Sequence, residues 1–388
     1  MLTKNIIFKN FKLNKNNKNN KKIRNELKLL LKEENAIIQS LGPTYKNNYN
    51  KKTISKLKNF SLIRIIGMGG SILGTKSIYH FLKHKIKKSF TFIDNLSPNI
   101  NLQNNKKKLL NLIVSKSGNT LETISNVNIL IKNKNKNVFI TEDKKSYISS
   151  LANSLKDEII HHNNFIGGRF SVLSEVGMLP AELMGLNVKS FKQINNLIKN
   201  NRFINTLINN VSCTINFVKN NKANSIILNY DEKSHNLFKW YQQLIAESLG
   251  KKGNGILPII STMPKDNHSV MQLYLDGNKS NFFTFFYVHE KNSPKINERK
   301  ILPSHNYLLN KSIDQIILSQ KLATEKVFAN KNLPFRSFEI LNRDEKTLGE
   351  LFCFFILETI LVGRVLNVNP YDQPSVELIK QETKKILL

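Results

Sequence analysis

Apolar runs of strand length recur along this chain, separated by stretches with helical spacing, and that alternation restricts the fold more than any other feature. The runs fall at residues 62–66, 90–93, 110–114, 138–140 and 158–161. Each of the first four leads into a segment with apolar residues at helical intervals, the pattern of a doubly wound parallel sheet. A second round has strand candidates at 226–228, 256–260, 282–288 and 338–341, with helices at 237–249 and 268–275. A long helix at 348–366 and a terminal helix at 376–387 follow. Ahead of both rounds, helical pieces at 23–31 and 52–58 flank a Gly42-Pro43 break. The fold class is therefore α/β, with two doubly wound parallel-sheet domains, a helical N-terminal preface and a long C-terminal helix. The expected division is 1–58 for the preface, 59–200 for the first domain and 201–388 for the second, with the boundary in the polar stretch 200–222. The first 20 residues read as an arm or frayed tail.

Composition narrows the class further. With 388 residues, 40% hydrophobic and 22% charged, the chain is an ordinary globular one, large enough for two cores. Its net charge of +31 is not ordinary and invites a nucleic-acid reading. Yet the lysines are interspersed with asparagine, as at 14–22, 132–137 and 199–222, and no basic cluster carries interleaved aromatics. The charge reads as solvated surface composition, or as a field that draws anionic substrates; no nucleic-acid partner is expected. Cys213 and Cys353 lie far apart in apolar surroundings, with neither disulfide nor metal-ligand spacing. The most apolar stretch, 351–366, is broken by Glu358 and Arg364 and falls short of the ~20 apolar residues of a membrane span. It reads as a buried helix, and the N-terminus lacks the apolar run of a signal peptide. A cytoplasmic protein is expected.

In open α/β sheets ligands sit beyond the carboxyl ends of the strands, so the loops there are where chemistry is sought. The strand at 62–66 runs into Gly67-Met68-Gly69-Gly70-Ser71 and a helix. Glycines at such a turn admit a ligand to the backbone, and a helix N-terminus favours an anion, although Ser71 serves equally as a helix cap. The strand at 110–114 runs into Ser115-Lys116-Ser117-Gly118-Asn119-Thr120, then Leu121-Glu122-Thr123. Several hydroxyls, backbone amides and a lysine at a helix start suit a phosphate monoester better than capping alone. Gly167-Gly168-Arg169 presents an arginine able to clamp an oxyanion, or simply a surface arginine beside a flexible turn. Gln243 and Glu247, four apart, share one face of an otherwise apolar helix, as a surface couple or as the lining of a cleft. His268 stands near a helix start, and Lys380 lies on the terminal helix behind Pro374.

The GGS at 69–71 with SKSGNTLET at 115–123 resembles the sugar-isomerase (SIS) phosphosugar-binding fold, a flavodoxin-like αβα sandwich. Adding GGRFSVLSEVG at 167–177, WYQQLIAES at 240–248, KDNHS at 265–269 and NPYDQPSVELIK at 369–380, the chain from about residue 60 to 388 resembles the bacterial phosphoglucose isomerase family. The order and coverage of these motifs are specific. A non-catalytic sugar-phosphate sensor on the same fold needs the phosphate loop but not the later motifs.

The resemblance implies reversible interconversion of glucose 6-phosphate and fructose 6-phosphate, through ring opening and a cis-enediolate, in glycolysis and gluconeogenesis. Neither cofactor nor metal is implied. Glu247 corresponds to the base that moves a proton between C2 and C1, Arg169 to the group that stabilises the enediolate, and His268 and Lys380 to the ring-opening pair. Gly70, Ser71, Ser115, Lys116, Ser117 and Thr120 correspond to the phosphate site, and Gln243 and Gln373 to further substrate contacts. In the family the histidine comes across a dimer interface, which implies a homodimer with shared active sites. The chain departs from the family at Ser117, usually threonine, at Tyr371, usually phenylalanine, and at Ser375, usually glycine. Only Ser375 changes backbone freedom.

Overall fold

A computed structural model describes residues 1–12, 19–99, 108–131, 135–297 and 301–388. The lysine- and asparagine-rich runs at 14–22 and 132–137 lie partly outside these described residues. The preface holds β1 (Ile6–Lys9), α1 (Asn20–Lys32), α2 (Ala36–Ser40) and α3 (Lys51–Leu57). The first α/β round follows as β2 (Leu62–Gly67), α4 (Leu73–Phe81), β3 (Ser89–Ile93), β4 (Leu109–Val114), α5 (Leu121–Leu130), β5 (Lys136–Glu142), α6 (Tyr147–Ser154), β6 (Glu158–His162) and α7 (Glu175–Leu183). Its strands pair in the order β3-β2-β4-β5-β6, all parallel. The order reverses between β2 and β4, which places the crevice of the sheet there.

The second round is α8 (Ile194–Ile198), α9 (Asn201–Lys219), β7 (Asn224–Asn229), α10 (His235–Leu249), β8 (Leu257–Thr262), α11 (Met271–Asp276), β9 (Asn281–Val288), α12 (Ile313–Asn330) and β10 (Phe335–Ile340). The long α13 (Glu345–Val365) and the terminal α14 (Val376–Leu387) complete the chain. The second sheet runs β1-β10-β9-β7-β8, parallel except for β1.

That exception corrects the reading of the first 20 residues as an arm or frayed tail. Ile6 pairs opposite Ile340 and Phe8 opposite Phe338, and Leu2, Ile6 and Phe11 are buried. The strand closes an edge of the second sheet, where unpaired N–H and C=O groups would otherwise meet water. The stretch 200–222, read as a polar connector, is largely α9. Its asparagines hide a stripe at Phe203, Leu207, Val211 and Ile215 that recurs at helical spacing and is buried.

Alternate side chains of the strands face opposite ways, so each sheet feeds two cores. Leu110, Leu112 and Val114 of β4 join Ile227, Phe286 and Phe338 of the second sheet in one apolar cluster. The helix α13 belongs to that shared core, with Leu351 to Leu357 all buried. Its deepest charge, Glu358, is paired with Arg336 and also accepts from the Asn210 side-chain amide and from the Tyr241 hydroxyl at 3.3 Å. A buried carboxylate is tolerated only with such partners.

Candidate active site

The two turns at the switch point of the first sheet lie side by side because Gly67 ends β2 opposite Val114, the end of β4. A Cβ at Gly67 would stand 2.8 Å from the Val114 carbonyl oxygen, so only glycine lets the strands leave this close together. The chain then turns through Gly69, at φ +50, into a short 3-10 turn Gly69–Ser71. Gly70 touches the other half of the site: a Cβ there would fall 2.1 Å from the Gly168 carbonyl carbon and 2.4 Å from the Arg169 nitrogen. The Gly-Gly-Ser turn is thus wedged against the Gly-Gly-Arg turn, and Ser171 Oγ bridges them by donating to Gly168 O at 2.8 Å and reaching Gly70 O at 3.3 Å.

The loop after β4 folds on itself. Ser115 Oγ donates to Thr120 Oγ1 at 3.3 Å, the Asn119 amide donates to Ser117 Oγ at 3.3 Å, and Gly118 adopts φ +65 against Ser146. Thr120 caps α5 without a side-chain hydrogen bond, which leaves the first amides of that helix facing outward for an anion. Lys116 is held 3.2 Å from Glu142, which also pairs with Lys144 at 2.7 Å. Burial pushes the Glu142 carboxyl up, and the two lysines more than offset this, holding it below the ordinary carboxylate range. The loop's Lys116 and the neighbouring Lys144 thus set two cations against one anion.

Arg169 is 2% exposed and its guanidinium is the hub of the second half. Nε donates to Ser248 Oγ at 2.8 Å, Nη1 to Gln373 Oε1 at 2.8 Å, and Nη2 to the carbonyls of Pro370 at 2.7 Å and Asp372 at 3.1 Å. Nη1 also lies 3.1 Å from Glu247 Oε1. The fork thus makes four hydrogen bonds and one close ion pair. Burial pulls its pKa below the ordinary arginine value, with Glu247 and Asp372 pulling it back. On α10, Gln243 Nε2 donates to Glu247 Oε2 at 2.8 Å, while Gln243 Oε1 is buried with no partner. That orphaned acceptor lies beside Gly69, whose Cβ would stand 2.9 Å from Gln243 Nε2, and it suits a donor hydroxyl brought by a ligand.

Arg169, Gln243, Glu247, Gln373 and Gly70 thus meet in one cluster, with Ser71 on the same turn as Gly70 and Ser115, Lys116, Ser117 and Thr120 on the loop after the neighbouring strand β4. His268 stands apart: it ends a short 3-10 turn, is exposed, and its ring has no hydrogen bond or ion pair among the described residues. Lys380 is more than half exposed and pairs with Glu377 at 2.7 Å on the same helix. Sequence reasoning missed the partners that orient Arg169, namely Ser248, the Pro370 and Asp372 carbonyls, and Trp240, whose Nε1 donates to Arg169 O at 3.0 Å. Ser248 adjoins Glu247 and could have been suspected; the backbone acceptors leave no mark in a sequence.

Comparison with known proteins agrees with this geometry. The family model described as Phosphoglucose isomerase matches residues 46–388. A glucose-6-phosphate isomerase of Methanocaldococcus jannaschii is 33% identical over 92% of this chain and 90% of its own, and that of Mycoplasmopsis pulmonis 31% over 88% of each. Among solved structures, a hypothetical protein of Thermus thermophilus superposes with TM-score 0.81 at 22% identity, over 95% of this chain and 94% of its own. A glucose-6-phosphate isomerase of Chlamydia trachomatis superposes with TM-score 0.67 at 20% identity, over 87% of this chain and 71% of its own. At these identities the structural likeness speaks for the fold.

Proposed function

The chain belongs to the phosphoglucose isomerase family, and we infer from this membership and the geometry of the site that it interconverts glucose 6-phosphate and fructose 6-phosphate. The observation that carries the reading is Glu247, a carboxylate at the carboxyl end of α10, held between Arg169 at 3.1 Å and Gln243 at 2.8 Å and 22% exposed. A base for this reaction must be oriented and reachable, and Glu247 meets both conditions.

The roles follow from position. Ser71, Ser115, Lys116, Ser117 and Thr120, with the amides near Gly70 and at the start of α5, bind the phosphate of the sugar. Glu247 takes the C2 proton and returns it at C1. Arg169, buried and held by four hydrogen bonds to the protein, acts on the enediolate as a fixed positive charge that needs no reorganisation when the negative charge develops. Gln243 offers its free Oε1 to a sugar hydroxyl, and Gln373 lies on the other side of the guanidinium. His268 and Lys380 carry the ring-opening protons. The resemblance brings the histidine across a dimer interface, and the exposed His268 ring, without a hydrogen bond or ion pair among the described residues, supports a cytoplasmic homodimer with shared active sites. Residues 59–200 supply the phosphate loop and Arg169, residues 201–388 supply Glu247, His268 and Lys380, and the preface 1–58 braces both.

The test is turnover of fructose 6-phosphate, followed by a coupled dehydrogenase that oxidises glucose 6-phosphate, with Glu247→Gln alongside. The parent is expected to turn over and the variant to lose at least about 10²-fold, the low end for a general base. A folded parent without activity would return the chain to the sugar-phosphate sensor reading, and an active variant would remove Glu247 from the role of base.

A further inference from the structure

Arg169 reaches the site at the end of a crossing from β6, residues 163–168, and the side chains that hold this crossing touch no part of the site itself. His162, the last residue of β6, has a side chain 1% exposed. Its Nδ1 lies 2.6 Å from Glu175 Oε1 and its Nε2 2.9 Å from the Ile166 carbonyl oxygen. The Ile166 carbonyl is an acceptor, so Nε2–H donates to it, while Nδ1 faces the Glu175 carboxylate. Glu175, at the start of α7 and wholly buried, also accepts the Asn163 amide at 2.9 Å and the Tyr45 hydroxyl at 3.0 Å. Burial pushes its carboxyl up, and His162 with the backbone donors outweighs that and keeps it ionised.

The crossing is therefore tied at both ends, at Asn163 through Glu175 and at Ile166 through His162, and Ile166 is itself buried. Gly167 and Gly168 follow with no side chains to lock them, and Gly168 packs on Gly70. The position of the Ile166 carbonyl thus sets where the Gly-Gly turn can lie.

We propose that His162 is a positioning residue for the isomerisation: it holds the Ile166 carbonyl with one ring nitrogen and Glu175 with the other, and so fixes where the Gly167-Gly168 turn delivers Arg169 against Glu247. Buried as it is, His162 meets no substrate, and its effect passes through the backbone. The phosphate loop at 115–120 is anchored on a different turn, and only Gly70 and Ser71 of the phosphate site border the Gly167-Gly168 turn, so loss of His162 reaches the proton transfer more than binding. The inference rests on the isomerase reading.

The test compares His162→Gln with the parent in thermal melting and in steady-state kinetics with fructose 6-phosphate. The variant retains one side-chain donor, folds with a lowered Tm, loses about tenfold or more in kcat, and keeps KM within about twofold. A folded variant with kcat within twofold of the parent overturns the proposal, as does a loss confined to KM. If the variant fails to fold, the double substitution His162→Gln with Glu175→Gln removes the stranded buried charge and is judged by the same two outcomes. Tyr45→Phe takes a partner from Glu175 but leaves the Ile166 carbonyl held. Its kcat stays within about twofold of the parent, and a loss as large as that of His162→Gln assigns the effect to Glu175 and overturns the proposal. Parent turnover judges the isomerase reading and the ratio of variant to parent judges this one. A readout free of turnover is the NMR resonance of Arg169 Nε–H, which shifts in folded His162→Gln; an unmoved resonance overturns the proposal.

Discussion

Side chains that converge on the site were readable one at a time, and their partnerships were not. Arg169, Gln243 and Glu247 stood out because each residue type in its motif suggested chemistry, and Gln373 only through the family resemblance. That the guanidinium would donate to Ser248, Gln373 and two carbonyls and pair with Glu247 follows from packing across the chain, which no local pattern carries. The same holds for Lys192, unremarkable in sequence. Its ammonium is buried beneath the Tyr45 ring, donating to the carbonyls of Ser40, at 2.6 Å, and Leu173. Burial pushes its pKa down to about 8, with Cys353 and Glu175 pulling back. Below that pH the fold must keep a charged amine in a poor solvent, which costs stability. Between about 8 and the unfolded value of about 10.4 the unfolded chain binds the proton more readily than the native one, so this group's contribution becomes more favourable as pH rises. The parent is accordingly expected to gain stability relative to Lys192→Met when urea unfolding is moved from pH 7.5 to pH 10. A gap that stays constant or narrows would refute the assignment.

Elements were legible where hydrophobic periodicity was dense and hidden where lysine and asparagine diluted it. The strands of the first sheet and the helices α10, α13 and α14 fall within a few residues of the sequence expectation, since runs such as Leu109–Val114 and Asn281–Val288 admit no other reading. The 18-residue α12 escaped notice, although Ser312 and Gln315 form a capping box at its start, a signal visible in the sequence. The strand β1 escaped for a better reason. Four residues between asparagines and lysines make too short a pattern, and only the exposed edge of β10 gives them a place to pair. That pairing makes a sharp prediction. Ile6 is fully buried, so Ile6→Ala removes packing atoms and leaves a cavity, at a cost of about 2–5 kcal/mol. The urea midpoint should fall accordingly with little change in slope, whereas substitution in a frayed tail would leave it where it was.

At the scale of the whole molecule, the net charge of +31 is the one large feature for which the site offers no need, since Lys116 of the phosphate loop and the neighbouring Lys144 already face one glutamate. Its consequence is nonetheless physical. A positive field over the surface attracts a dianionic sugar phosphate before any contact forms, and this attraction is screened over about 10 Å at 0.1 M salt. On the proposed mechanism, proton transfer between Glu247 and the sugar takes place inside the cluster with Arg169 and Gln243, where distances near 3 Å leave little room for bulk ions to intervene. The two stages should therefore separate under salt. Raising sodium chloride from about 10 to 300 mM is expected to raise KM for fructose 6-phosphate several-fold and leave kcat nearly constant. Sulfate, which also competes for the phosphate loop, should raise KM more than chloride at equal ionic strength. A KM indifferent to chloride but sensitive to sulfate would confine recognition to the loop at 115–120 and reduce the surface charge to solvated composition. A kcat that falls in step with kcat/KM would mean that salt reaches the Arg169–Glu247 pair itself, contrary to the enclosure that the geometry describes.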